Sequence, residues 1–177
     1  SSADPNIAKS NIYAKSDINM SVKKDSNIDG AVYSEEGFVS LDDQITLPNP
    51  TPTPEVDNFD LTETIKYWKT LAQTEGFYIS NTGDTKIGNV DLGQGKVLYS
   101  EGDLTFNGAS SITGEGIIYA NGNITFNGDA NVPNNPNLPF RIFVAKNKIT
   151  LNGTTSGKET FGAFISIDDT IHINGHT

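Results

Sequence analysis

The sequence predicts an all-β chain wound as a parallel β-helix, a β-solenoid of about seven rungs with one inserted α-helix. Three observations point there. The first is a recurring phrase of twelve residues: VLYSEGDLTFNG from Val97, IIYANGNITFNG from Ile117, IFVAKNKITLNG from Ile142 and FISIDDTIHING from Phe164. The copies start 20, 25 and 22 residues apart, the spacing of a solenoid repeat that buries its apolar face only by stacking on its neighbours. The second is composition: 17 Gly and 19 Asn in 177 residues call for many turns and few long helices. The third is column chemistry, which repeats from copy to copy where any single copy is only a short apolar run.

Three weaker copies lie upstream of the four clear ones: IYAKSDINMS from Ile12, VYSEEGFVSLDD from Val32 and YISNTGDTKIG from Tyr78. Aligned on all seven, an apolar column reads Ile12, Val32, Ile79, Leu98, Ile118, Phe143, Ile165 and is expected to face inward. Two residues on, a mostly small column shares that face by the two-residue alternation of a strand: Ala14, Ser34, Asn81, Ser100, Ala120, Ala145, Ile167. After a turn at positions such as Gly102 and Gly122, inward pairs resume at Leu104 and Phe106, Ile124 and Phe126, Ile149 and Leu151, and Ile171 and Ile173. Between them runs an outward column, Asn19, Ser40, Thr105, Thr125, Thr150, His172. Asn-Gly closes each clear copy, so Asn107, Asn127, Asn152 and Asn174 are expected to stack as a buried amide ladder beside left-handed glycines.

The chain reads as one domain over 1–177, with first rungs at 12–43, a connector and helix at 44–76, and the remaining rungs at 77–177. The connector holds Pro48, Pro50, Pro52 and Pro54 and is expected to be extended. The helix, about 61–75, is marked by Asp60 and Glu63 as a capping box, by a stripe of Leu61, Ile65, Trp68, Leu71 and Ala72, and by Gly76 as its stop. A second Pro-rich stretch, VPNNPNLPF at 132–140, accounts for the longest spacing and is expected to loop off the rod.

Charge and composition exclude whole classes of function. The net charge is −10 and Arg141 is the only Arg, so no basic stripe exists to neutralise phosphates; nucleic acid and anionic membrane are poor partners. Zero Cys removes disulfide frameworks and thiol chemistry. No run of 18 apolar residues is present, so this segment is not expected to insert into a membrane.

Residues able to do chemistry are few. Asp168-Asp169 and Gly175-His176 have the look of polygalacturonase pieces, but they lie seven residues apart on one rung, whereas groups flanking a glycosidic bond come from neighbouring rungs. His172 and His176 are four apart, but on a strand and beyond a turn rather than on one helix face. The chain is therefore read as not an enzyme, with no catalytic residue, cofactor or metal site. The threonine column raises ice binding, but it lapses at His172, and an exposed strand position suiting a β-branched residue explains it more simply.

The outward side of the first strand should be polar and is not: Val97, Tyr99, Ile117, Tyr119, Ile142, Val144 and Phe164 fall there, and Tyr13 and Tyr33 extend the tyrosine column. Apolar surface of that extent is covered or used. Trp68 and its helix are expected to cover it; otherwise Tyr13, Tyr33, Tyr99, Tyr119 and Trp68 form an open stacking platform for sugars or a partner protein.

The order of parts, with early rungs, a Pro-rich connector, a helix bearing Tyr67 and Trp68, then rungs Tyr99–Gly108, Tyr119–Gly128 and Gly162–Gly175, resembles the β-solenoid domains of PilX-like proteins encoded with bacterial type IV pilus machinery. The resemblance covers residues 12–175. Bactofilins, cytoskeletal solenoids that polymerise end to end, are similar in rung chemistry but generally lack the connector and helix. The resemblance implies a non-enzymatic extracellular or cell-surface protein presenting a rigid face for adhesion or assembly. Its expected partners are other pilus or surface proteins and polysaccharide, with an anchor or signal upstream of Ser1. A self-polymerising scaffold is the second reading and a polysaccharide-binding or polysaccharide-cleaving β-helix the third. The last rung carries Ile171 and Ile173 with no charged or Pro-bearing cap after them, so self-association is expected through an open C-terminal edge.

Overall fold

The computed structural model describes residues 7–9, 12–14, 17–21, 26–29, 32–34, 39–41, 45–46, 61–75, 77–108, 110–128, 141–152 and 162–174. Strands β1 (Ile7–Lys9), β2 (Ile12–Ala14), β3 (Ile18–Ser21), β4 (Ser26–Asp29), β5 (Val32–Ser34), β6 (Val39–Leu41) and β7 (Ile45–Thr46) precede helix α1 (Thr62–Glu75). After it come β8 (Tyr78–Ile79), β9 (Thr85–Ile87), β10 (Val90–Ser100), β11 (Leu104–Asn107), β12 (Ile112–Ala120) and β13 (Ile124–Asn127). The chain ends with β14 (Arg141–Ala145), β15 (Ile149–Asn152), β16 (Ala163–Ser166) and β17 (Ile171–Asn174).

Every pairing is parallel, as in a solenoid. One sheet runs β5-β2-β16-β14-β12-β10-β8, a second runs β6-β3-β17-β15-β13-β11-β9, and β1-β4-β7 form a short third. The pairs β10/β11, β12/β13, β14/β15 and β16/β17 make about four full turns; shorter pairs extend both ends, so the regular part is smaller than the expected rod of about seven rungs.

The stacking order differs from chain order. The N-terminal strands do not begin the rod: β2 lies beside β16, with Phe164 opposite Ile12 and Ser166 opposite Ala14, and β3 lies beside β17, with Ile171 opposite Ile18. The coil after β17 is thus supplied by the start of the chain, and β5 and β6 stack one level further on. The C-terminal edge expected to be open is closed within the chain. The physical reason is that β16 and β17 pair in register with β2 and β3, which satisfies their edge backbone groups, and Ile18 of β3 is completely buried.

The inward columns build one core. Leu98, Ile118, Phe143 and Phe164 are buried on the first sheet, and Leu104, Ile124, Ile149, Ile171 and Ile18 on the second. Phe106 stacks on Phe126 with ring centroids 4.9 Å apart, and Phe143 on Phe164 at 5.1 Å, the layered aromatic packing that a parallel repeat imposes. Two rungs slip against the sequence alignment. Phe164, not Ile165, faces inward, because the turn from Ser166 to Ile171 is one residue longer than that from Ser100 to Leu104. Tyr78 pairs with Tyr99 and Ile79 with Ser100, so Asn81 belongs to the turn. With both slips corrected, the small column becomes Ser100, Ala120, Ala145, Ser166, Ala14 and Ser34, ending in Ile79.

Stacked turns explain the glycine between the strands. A Cβ on Gly102 would stand 2.3 Å from the Gly83 carbonyl oxygen, a backbone contact that no side chain tolerates. Of the Asn-Gly glycines, Gly128 is left-handed at φ 71° as expected, whereas Gly108 is not; Gly153 and Gly175 lie outside the described residues.

Helix α1 starts one residue inside the expected span. Its final turn closes with the Phe77 N–H donating to the Ala72 carbonyl at 3.0 Å, the six-to-one bond of a helix C-terminus. Asp60 and Gly76, the expected capping residue and stop, lie outside the described residues, as do the Pro-rich stretches 47–58 and 132–140.

Candidate interaction surface

Two broad faces of the solenoid differ in chemistry. On the first sheet, α1 lies along the outward apolar side. Ala72, Val97, Tyr99, Tyr119 and Val144 are buried there, with Ile65, Trp68, Leu71, Tyr78, Ile117, Ile142, Ile165 and Ile167 packed against them. The stripe at Ile65, Trp68, Leu71 and Ala72 meets the sheet, and Tyr67, on the other side, is 64% exposed. Trp68 sits 6.0 Å from Tyr119, ring to ring at 53°, and Tyr99 is 4.8 Å from Tyr119. Trp68 is half-buried, so the helix covers the tyrosines without sealing its own tryptophan. Tyr13 and Tyr33 continue this column by strand pairing, Tyr13 opposite Ile165 and Tyr33 opposite Tyr13.

A polar clamp holds the seam. Glu101 accepts from Lys69 and, at 2.5 Å, from the Tyr78 hydroxyl. The Lys69 ammonium also lies 5.7 Å from the Tyr78 ring centre and 5.9 Å from that of Tyr99. The bond from Lys69, then that from Tyr78, holds the Glu101 carboxyl below the usual range. Burial pushes the Tyr119 phenol up, and does the same for Tyr99. A phenol so covered stays neutral and serves packing.

The second sheet is open and polar. Its outward column reads Lys86, Thr105, Thr125, Thr150, His172, Asn19, Ser40 in register. Beside it the Asn-Gly asparagines stack. Asn152 Nδ2 donates to Asn127 Oδ1 at 2.8 Å and Asn174 Nδ2 to Asn152 Oδ1 at 2.9 Å. This ladder differs from expectation in lying at the surface rather than buried. Asn107 pairs with Asn127 by strand register, its backbone N–H donates to Ser110 Oγ at 3.0 Å, and Ser110 Oγ in turn donates to the Ile87 carbonyl one coil below.

On the other flank, a second ladder passed unread in the sequence. Asp103 Oδ1 accepts from both the backbone N–H and the side-chain amide of Asn123, at 2.7 and 3.1 Å, and Asn123 Oδ1 accepts from the Lys148 N–H at 3.2 Å. Its signal was present as Asp103, Asn123 and Lys148 immediately before Leu104, Ile124 and Ile149. The outer face is therefore a stacked array of hydroxyls and amides at the strand spacing of about 4.8 Å, held by side-chain bonds between coils.

The remaining candidates sit apart. Asp168 and Asp169 share one turn, where Asp169 Oδ1 accepts from the Thr170 N–H at 2.8 Å. His172 occupies the outward column, and His176 lies outside the described residues. Among the described residues no group of three or more His, Asp or Glu side chains is placed to hold a metal ion. Arg141, the only Arg, is 4% exposed and gives its Nε to the Gly114 carbonyl at 2.7 Å, so it serves the rod's interior.

Comparison with known proteins supports the repeat architecture. Residues 69–154 match the haemagglutinin repeat family. That stretch runs from α1 through β15, so sequence pattern, fold and family match agree on a β-helix repeat protein. No curated relative matches. A solved structure described as the crystal structure of an ice binding protein from an Antarctic Biological Consortium is similar at 13% identity and a TM-score of 0.30, covering 94% of this chain and 86% of that one.

Proposed function

We propose that this chain is a non-enzymatic β-helix module of a secreted or cell-surface protein, and that its open threonine and asparagine face is the adhesive surface. The observation carrying this reading is the haemagglutinin repeat match, whose residues 69–154 include three of the strands that build the polar face: β11, β13 and β15. Helix α1 already occupies the aromatic side, which leaves the polar sheet as the broad open face among the described residues. Hydroxyls and amides on a rigid sheet suit a hydrated, polar ligand such as a surface glycan, through many individually weak hydrogen bonds. The charge of −10 favours no phosphate-rich partner. Adjacent carboxylates in one turn, Asp168 and Asp169, cannot stand on opposite sides of a bond to be cleaved, in keeping with binding without catalysis.

The more specific part of this reading is association with type IV pili. It draws on the order of rungs, Pro-rich connector, helix and further rungs, and the partners proposed with it are other pilus or surface proteins.

The test is adhesion of the purified chain to immobilised surface glycans and to isolated pili. A Thr125→Glu/Thr150→Glu variant is compared with Tyr67→Glu on the exposed side of the helix. The reading expects the face variant alone to lose binding. Equal binding by both variants would overturn the assignment of the face. Release of reducing ends from a polysaccharide, abolished by changing Asp168 and Asp169, would overturn the non-enzymatic reading.

A further inference from the structure

The asparagine ladder also governs covalent chemistry. The chain holds five Asn-Gly pairs, beginning at Asn107, Asn121, Asn127, Asn152 and Asn174. Glycine has no side chain to shield its backbone nitrogen, so in this dipeptide that nitrogen can reach the asparagine Cγ and displace ammonia. Two groups must be free for the attack. The side-chain amide has to rotate over its own main chain, and the glycine N–H has to give up its proton.

The pairs differ in both respects. In Asn127-Gly128 the amide oxygen accepts from Asn152 Nδ2 at 2.8 Å, and the Gly128 N–H donates to the Asn152 carbonyl at 3.2 Å. Asn152 is held at both ends of its amide, donating to Asn127 and accepting from Asn174. Asn121 Oδ1 accepts from the Tyr119 hydroxyl at 3.4 Å, and Gly122 is buried against the turn of the coil below. Asn107-Gly108 lacks these restraints. Among the described residues the Asn107 amide makes no side-chain bond, and the Gly108 N–H donates to no carbonyl, whereas one coil on Gly128 does. Gly108 is also exposed. The main chain beside it is fixed all the same: the Asn107 N–H donates to Ser110 Oγ at 3.0 Å, and the Asn107 carbonyl accepts from the Ser110 N–H at 2.7 Å. An anchored turn therefore presents a free amide next to a free nucleophile.

We propose that Asn107 is a deamidation site of this protein and that the amide ladder protects the asparagines stacked beyond it. The Gly108 nitrogen loses its proton and bonds to Asn107 Cγ, the Cγ–Nδ2 bond breaks, and ammonia leaves with that proton, closing a succinimide ring. Water then opens the ring at one of its two carbonyls. Cleavage of the bond from nitrogen to Cγ gives aspartate, and cleavage of the bond from nitrogen to the main-chain carbonyl carbon gives isoaspartate; nothing is oxidised or reduced. Either product sets a carboxylate on the polar sheet, on the face that carries Thr105 and, one coil below, Lys86. The site does not depend on the adhesive reading above, because its chemistry needs only Asn107, Gly108 and water.

The test follows the full chain in mildly alkaline buffer. Samples taken at intervals are digested and read by mass spectrometry, with electron-transfer fragmentation separating aspartate from isoaspartate. Two hydrogen bonds restrain Asn127-Gly128 and none of that kind restrains Asn107-Gly108, so Asn107 is expected to convert on the order of tenfold faster than Asn127, with Asn152 slow as well. In urea all five pairs are released and their rates should converge. Asn152→Ala, checked for its fold by circular dichroism, removes the side-chain bond to Asn127 and should speed conversion there about two- to tenfold while leaving Asn107 unchanged. Asn107→Gln, which would need a larger ring, should remove the early product. Conversion of Asn127 or Asn152 as fast as Asn107 in the folded parent would overturn the proposal, as would an Asn107 that stays amidated over the time in which the urea sample converts.

Discussion

Replacing Trp68 by alanine tests the packing that decides which face is open. Complete removal of a core tryptophan costs about 3–5 kcal/mol. Trp68 is only half-buried against the sheet, which halves the area at stake, and its tilted contact with Tyr119 at 6.0 Å adds about 0.5–1.5 kcal/mol. The expected loss is about 2–4 kcal/mol, with Trp68→Phe losing less than half as much. Urea unfolding followed by far-UV circular dichroism measures it, provided the slope of the transition is unchanged. Two further readouts belong to the same contact. Trp68 is the only tryptophan, so emission from the native protein should be blue-shifted and partly shielded from iodide. Burial holds the Tyr119 phenol well above its ordinary range, and an alkaline absorbance titration should show one tyrosine ionising earlier in Trp68→Ala. A variant within 0.5 kcal/mol of the parent, with red-shifted, freely quenched native emission, would refute the docking and return the tyrosines to an open binding platform.

Three other expectations follow from the same contacts. Asn152 both donates to Asn127 and accepts from Asn174, so Asn152→Ala should cost about 1–2 kcal/mol by denaturant midpoint, while exposed Asn89→Ala costs nearly nothing; equal losses would argue against a ladder. The Glu101 carboxyl is held low in the folded state by Lys69 and Tyr78, so its contribution is present above the unfolded pKa of about 4.3 and is lost as pH falls through the lower folded value. Glu101→Gln should therefore flatten the acid limb of the stability profile, and an unchanged limb would contradict the clamp. Finally, a circular permutant with Thr177 joined to Ser1 and the chain opened between Thr53 and Pro54 should fold to the parent's circular dichroism spectrum, because the start of the chain already follows β17 in the stack; failure to fold would contradict the stacking order.

Much of the polar surface was legible because a parallel stack repeats its chemistry once per coil. The outward Thr105, Thr125 and Thr150 column and the asparagine ladder could be read from aligned phrases before any coordinates, and the helix stripe explained why the tyrosine side is apolar. Exposure of the ladder was not legible, since Asn at a turn corner satisfies the same pattern inward or outward. The pairing of Asp103 with Asn123 was also hidden, because two different residue types share that column.

The local content of each coil follows from its own residues: alternation sets which residues face the core, Gly122 sits where stacked turns touch, and Ile65, Trp68, Leu71 and Ala72 set which side of the helix is buried. Order and register come from the packing of the whole stack. Ile12-Tyr13-Ala14 is chemically acceptable above almost any coil, so its place beside β16 depends on closing the whole stack, a long-range choice that no window of sequence contains. The one-residue slip at Ile165 has the same origin. Ile165 and Phe164 are equally apolar, and the length of the turn to Ile171, fixed by the coil beneath it, chooses which of them enters the core.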